Sequence, residues 1–140
     1  MYDKLFIALL NTNAAHWEQI RKCFEKLGLT EGQPKVLYTL RAYEGCVQKE
    51  LAAACRVRES TLTVLLRKLE DKGCIRKEKI VVSVSKHANA IFLTDHGREL
   101  SDKIDEKVEE LERKCFEGFS EEEKQQLFSL LYRVENNLKS

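Results

Sequence analysis

Proline occurs once and glycine six times in this 140-residue chain, so little interrupts helix formation, and with abundant Leu, Lys and Glu the composition favours a mainly helical protein. The longest uncharged apolar run, residues 5–10, falls far short of the ~20 residues that span a bilayer. Met1-Tyr2-Asp3-Lys4 lacks the basic region of a signal peptide, and no small-residue cleavage site follows; the expectation is a cytoplasmic protein with no membrane partner. The five cysteines are an odd set separated by 23, 9, 19 and 41 residues, a pattern of reduced thiols and not of a disulfide framework or paired zinc knuckles. His16, His87 and His96 show no ligand spacing, so no metal is expected. No phosphate-binding loop, dinucleotide glycine fingerprint or nucleophile elbow is present, so the chain reads as neither an enzyme nor a cofactor binder. The acidic run from Asp102 to Glu112 reads as the wet side of a helix.

What is present is 43% hydrophobic and 34% charged residues, the composition of one compact domain. The net charge of +1 hides an asymmetry. Residues 35–87 hold twelve Lys and Arg against six Asp and Glu, whereas the two flanks together hold twelve against seventeen. A polyanionic partner therefore suits the middle of the chain alone.

Hydrophobic spacing orders the elements. Leu5, Phe6, Leu9, Leu10, Trp17, Ile20, Phe24 and Leu27 form a helical stripe, read as broken at Asn11–Asn13 and stopped by Gly28. Thr30 with Gln33 has the pattern of a capping box, and Pro34 falls in the first turn of a second helix carrying Val36, Leu37 and Leu40. A short third helix runs from Gln48 to about Cys55. In the fourth, Leu62, Leu65, Leu66 and Leu69 form the inward face, and Gly73 ends it. Ser60, Thr61, Val64, Arg67 and Lys68 must then face outward.

After Gly73 the period becomes two: Ile80, Val82 and Val84 alternate, Ser85–Asn89 reads as a polar, flexible tip, and Ala90–Leu93 returns as the second strand of a hairpin. Thr94 can cap a fifth helix with the stripe Leu100, Ile104, Val108, Leu111, Cys115, which Gly118 stops. Ser120 and Glu123 form a second capping box before a last helix containing Leu127, Leu130, Leu131, Val134 and Leu138. The fold class is thus mainly α with a small β-hairpin wing: a winged helix-turn-helix lobe flanked by N- and C-terminal helices.

A helix that reads DNA needs short hydrogen-bonding side chains at the base edges and longer cations on the flanking phosphates. Ser60, Thr61 and Thr63 supply the first; Arg67, Lys68, Arg56 and Arg58 supply the second, with Gln48 and Lys49 opening the supporting helix and Lys77, Lys79, Lys86 and His87 on the hairpin. The same face is also an ordinary solvated surface in many proteins, so a winged-helix protein-interaction module without specific DNA binding stays open as an alternative, as does a nonspecific architectural DNA binder.

The run Leu29-Thr30, Gln33, Val36-Leu37, Gln48-Lys49-Glu50-Leu51-Ala52, Val57, Ser60-Thr61-Leu62-Thr63, Leu69 to Arg76 and Phe92-Leu93-Thr94-Asp95-His96-Gly97 resembles the MarR family of bacterial transcriptional regulators. The resemblance implies a homodimer on double-stranded DNA, repressing through two recognition helices in successive major grooves of a pseudo-palindromic operator. It implies dimerisation segments at 1–29 and 94–140 around a DNA-binding lobe at 30–93. It assigns DNA contacts to Lys49, Arg58, Ser60, Thr61, Thr63, Arg67, Lys68, Lys86 and His87. Apolar stripes at both ends of the chain support pairing independently.

The chain departs from the family pattern in several places. Ser85 and His87 stand where the wing usually carries Asp-x-Arg, the hairpin is about two residues longer, Val64 replaces a common cation or polar residue, and Arg56 replaces a turn glycine. Arg58 and Glu59 stand where a small cap is usual, leaving Ser60 as a makeshift cap. Members of such a family answer either a small, often phenolic or amphipathic ligand or thiol oxidation. Cys55, Cys74, Cys23 and Cys115 fall on apolar faces and read as core, with Cys23 or Cys115 near the dimer seam; Cys46, between Gly45 and Val47, is the candidate redox sensor.

Overall fold

A computed structural model describes residues 1–139. Its elements are α1 (Leu5–Lys26), α2 (Gln33–Tyr43), α3 (Gln48–Cys55), α4 (Glu59–Asp71), β1 (Ile75–Ser83), β2 (Lys86–Leu93), α5 (Asp95–Cys115) and α6 (Glu121–Lys139). The chain divides into two compact units, residues 1–108 and residues 109–140.

In the first unit the core gathers Val36, Leu37 and Leu40 of α2, Leu51, Ala52 and Cys55 of α3, Leu62, Leu66 and Leu69 of α4, and Ile91 of β2, all buried. Each leucine removed from water contributes about 1.5–3 kcal/mol, and these three from α4 fix which of its faces looks outward. Leu65 is only half-buried: it packs toward Gly32, where an added Cβ would lie 3.0 Å from Leu65 Cδ2. That glycine, at φ 86°, is the N-cap of α2. The expected cap Thr30 therefore lies outside the helix, although half of the box survives, because the Thr30 N–H donates to Gln33 Oε1 at 3.1 Å.

Gln33 is buried, and its Oε1 also accepts from Lys72 Nζ at 2.7 Å; the same ammonium donates to the Gly28 carbonyl at 2.6 Å. Lys72, the C-cap of α4, thus joins that helix to the junction of α1 and α2. The predicted break at Asn11–Asn13 is absent, since α1 is continuous through it. Poor helix formers in the middle of a long helix cost tenths of a kcal/mol, too little to interrupt it.

β1 and β2 pair antiparallel from Ile75↔Leu93 to Ser83↔Lys86, with an irregularity between Val81 and Ser83. Most of the polar stretch Ser85–Asn89 is therefore strand, with His87 opposite Val81, and the turn is Val84-Ser85. The apolar period at Ile80, Val82 and Val84 does not mark a buried face either: Val81, Val82 and Val84 are all exposed. A bridge Val47↔Ala90 adds a short third edge, in which the Ile91 N–H donates to the Cys46 carbonyl at 2.9 Å.

Thr94 caps α5 as expected, its hydroxyl accepting from the Gly97 N–H at 3.0 Å and donating to the Gly73 carbonyl at 2.5 Å. A Cβ at Gly97 would overlap the Cys74 carbonyl oxygen, so the glycine is what allows α5 to start against β1. Leu100 and Ile104 are buried. Arg41 of α2 ties onto α5 through Asp102 at 2.6 Å and Ser101 Oγ at 3.2 Å.

The second unit holds the last turns of α5 and all of α6. Ser120 and Glu123 form the predicted reciprocal capping box: the Ser120 N–H donates to Glu123 Oε1 at 2.8 Å, and the Glu123 N–H to Ser120 Oγ at 3.1 Å. Phe116 stacks edge-on against Phe119 and Phe128, with ring centroids 5.4 Å apart in each pair. No residue of α6 is buried. Cys115 is exposed, which corrects its placement in the core; a stripe tells which residues share a helix face, and at that position none of the described residues covers the face.

Candidate nucleic-acid interface

The helix-turn-helix is built by α3, a tight turn and α4. Arg56, the C-cap of α3, has φ 56° and is the one non-glycine residue with positive φ among those described. Arg58 then caps α4 in an extended conformation without a side-chain cap bond. Ser60 lies inside the first turn of the helix, so it is not the makeshift cap expected from sequence. The cap is two residues earlier, at Arg58, and the helix begins at Glu59, whose carboxylate in the first turn suits the positive end of the helix.

Ser60, Thr61, Val64, Arg67 and Lys68 share the exposed face of α4, with Arg58 exposed at its start and Lys49 exposed in the first turn of α3. This is the face opposite Leu62, Leu66 and Leu69. Lys86 and His87 are exposed on β2 beside the hairpin turn.

Thr63 behaves differently from its two hydroxyl neighbours. Its Oγ1 donates to the Glu59 carbonyl at 2.9 Å and accepts from Gln48 Nε2 at 2.6 Å. A hydroxyl has one proton to give, and here it is already given. The Gln48–Thr63 bond instead ties the start of α3 to the start of α4. No local pattern announced it, because the two residues are fifteen apart and their meeting depends on the angle between two helices.

The sequence model of the MarR family matches residues 29–82, from the end of α1 to the far end of β1. The transcriptional regulator PecS of Dickeya dadantii is 35% identical over 120 residues, covering 84% of this chain and 71% of its own. The chain belongs to the MarR family. The homoprotocatechuate degradative operon repressor of Escherichia coli is 29% identical over 131 residues, covering 94% of this chain and 87% of its own. Among solved structures, the S. aureus MepR–DNA complex superposes with a TM-score of 0.78 at 26% identity, covering 99% of this chain and 96% of that one.

As a MarR-family helix-turn-helix transcriptional regulator, the chain has a second feature of interest, a cleft of about 240 Å³ lined by Trp17, Ile20, Phe24, Tyr38 and Ile104, with His16 and Lys35 also in its lining. Trp17 and Phe24 form one side of it, their ring centroids 6.1 Å apart.

The thiols of this MarR-family chain are mostly sheltered. Burial pushes Cys55 up against the smaller opposing effects of a Thr39 hydrogen bond and Lys35, and pushes Cys74 up against Lys72. Cys46 is half-buried and is pushed up by burial and then by the Glu50 carboxylate. Cys115 alone is exposed. No helix among the described residues is long and apolar enough to cross a membrane.

Proposed function

We propose that this chain is a sequence-specific DNA-binding repressor that acts in the cytoplasm as a homodimer on a pseudo-palindromic operator, without enzymatic activity or a cofactor. The observation that carries this reading is the exposed hydroxyl-and-cation face of α4, held outward by three buried leucines. Ser60 and Thr61 meet base edges; Lys49, Arg58, Arg67 and Lys68 hold phosphates; Lys86 and His87 reach the backbone from the wing. Thr63, with its hydroxyl bonded on both sides, sets the angle between α3 and α4 from within the same interface.

Pairing rests on the exposed apolar residues at both ends: Phe6, Leu9 and Leu10 of α1, and Leu127, Phe128, Leu130 and Leu131 of α6. Residues 1–29 and 94–140 form the dimerisation layer, and residues 30–93 the DNA-binding lobe. The aromatic cleft beside Trp17 and Tyr38 takes a small phenolic or amphipathic ligand, whose chemistry matches apolar walls joined by an ammonium and an imidazole. One observation favours the alternative of a protein-interaction module: the wing ends in exposed valines, with Ser85 and His87 in place of an Asp–Arg pair.

An anisotropy titration separates the readings. A duplex from the promoter region upstream of the gene and a random duplex of equal length are titrated at two salt concentrations. The regulator binds the promoter duplex selectively, and binding weakens steeply with salt. A protein-interaction module shows no salt-sensitive DNA affinity, and an architectural binder holds both duplexes alike.

A further inference from the structure

Val64 is 46% exposed in the middle of α4, one turn from Ser60 and Thr61 on one side and from Arg67 and Lys68 on the other. A lone exposed valine on a protein surface is commonplace. This one stands at the centre of the stripe on which the DNA-binding reading depends, and it is a β-branched residue in a helix position that packing does not require. The groups around it narrow what it can meet. Thr63, its neighbour in sequence, has its proton committed to the Glu59 carbonyl. Among the central positions of the face, Val64 is therefore where an apolar contact replaces a hydrogen bond, inside a surround of cations that suits a polyanion.

In the major groove one base edge offers an apolar group, the 5-methyl of thymine. Resting on the DNA-binding reading above, we infer that Val64 is a specificity-determining residue that packs its two methyl groups against a thymine 5-methyl, so that each half-site carries a thymine opposite the middle of α4. The contact is buried only in the complex, and the removal of that one methyl from water is what it contributes.

The test uses the full-length protein and a duplex recovered by selection from a random-sequence pool. Each thymine of one half-site is replaced singly by deoxyuridine, which lacks only the methyl group. The expected result is one position at which uracil weakens binding about fourfold, the transfer value of one methyl group. With Val64→Ala, which is surface-exposed and raises helix propensity, the protein keeps its helical circular-dichroism signal and its salt dependence, and the penalty at that position falls below about twofold. Thr61→Ser retains the full penalty, which separates Val64 from the methyl of its neighbour. A selected duplex insensitive to every uracil, or a penalty that persists in Val64→Ala, overturns this inference and leaves the regulator reading intact. Failure to select any duplex over random sequence overturns both.

Discussion

Gln48 Nε2 donates to Thr63 Oγ1 at 2.6 Å, joining the first turn of α3 to the second turn of α4. The bond separates two hydroxyls that sequence alone treats as equivalent. Thr61 is exposed on the outward face, whereas Thr63 is half-buried and bonded on both sides. Thr63→Val leaves the Gln48 amide without this partner and costs about 0.5–1.5 kcal/mol of stability by urea denaturation. DNA affinity falls while the ranking of operator variants stays the same. A changed ranking would show that Thr63 reads bases after all.

Arg67→Ala should weaken binding to all duplexes by a similar factor and reduce the slope of log K against log salt by about one, the signature of one lost phosphate contact. Thr61→Val should alter sequence preference with little change in that slope. Titrations at four salt concentrations on matched and mismatched duplexes distinguish the two, and an unchanged slope in Arg67→Ala removes Arg67 from the interface.

Gly97→Ala should be among the most damaging small substitutions in the chain. The new methyl would overlap the Cys74 carbonyl oxygen, a backbone atom with no freedom to swing aside. A shift of α5 away from β1 would also disturb the Thr94 cap and its bond to the Gly73 carbonyl. The expected loss is about 2–4 kcal/mol, in the range of overpacking plus a lost cap, read from the urea midpoint at constant m. A wild-type midpoint would mean that α5 does not approach β1 so closely in solution.

Alkaline pH should weaken the fold through its thiols. Burial raises Cys46, Cys55 and Cys74, so each holds its proton more tightly folded than unfolded. The associated stability is complete below the unfolded thiol pKa of about 8.5 and is lost as pH rises through the folded values. Denaturation midpoints should therefore fall above about pH 9, and less so in Cys55→Ala once its own packing loss at neutral pH is subtracted. In the native protein at neutral pH, Cys115 should be alkylated first; faster labelling of Cys46 would support its assignment as the redox sensor.

The local signals in the sequence were strong where one element decides its own shape. Leu62, Leu66 and Leu69 are buried as their spacing requires, Gly73 stands at φ 72° after α4, and the Ser120–Glu123 box closes in both directions. They failed where a second element takes part. The stretch Ser85–Asn89 looks like loop by composition, yet His87, Ala88 and Asn89 pair with Val81, Ile80 and Lys79, and no local hydropathy reports a partner strand. The cap of α2 is Gly32 and not Thr30, at φ 86° and with Leu65 of α4 packed where a side chain would otherwise stand, a contact no local pattern reports. For the interface, the helix face was legible from periodicity, but the internal engagement of Thr63 depended on how α3 crosses α4.

The Lys72 ammonium grips the Gly28 carbonyl and the Gln33 amide oxygen together, so the far end of α4 is fastened to the chain that leaves α1. Exchanging Lys72 for an uncharged residue of similar length would leave the buried Gln33 oxygen with the Thr30 N–H and the Gly28 carbonyl without this donor, so the cost would fall on two helices at once.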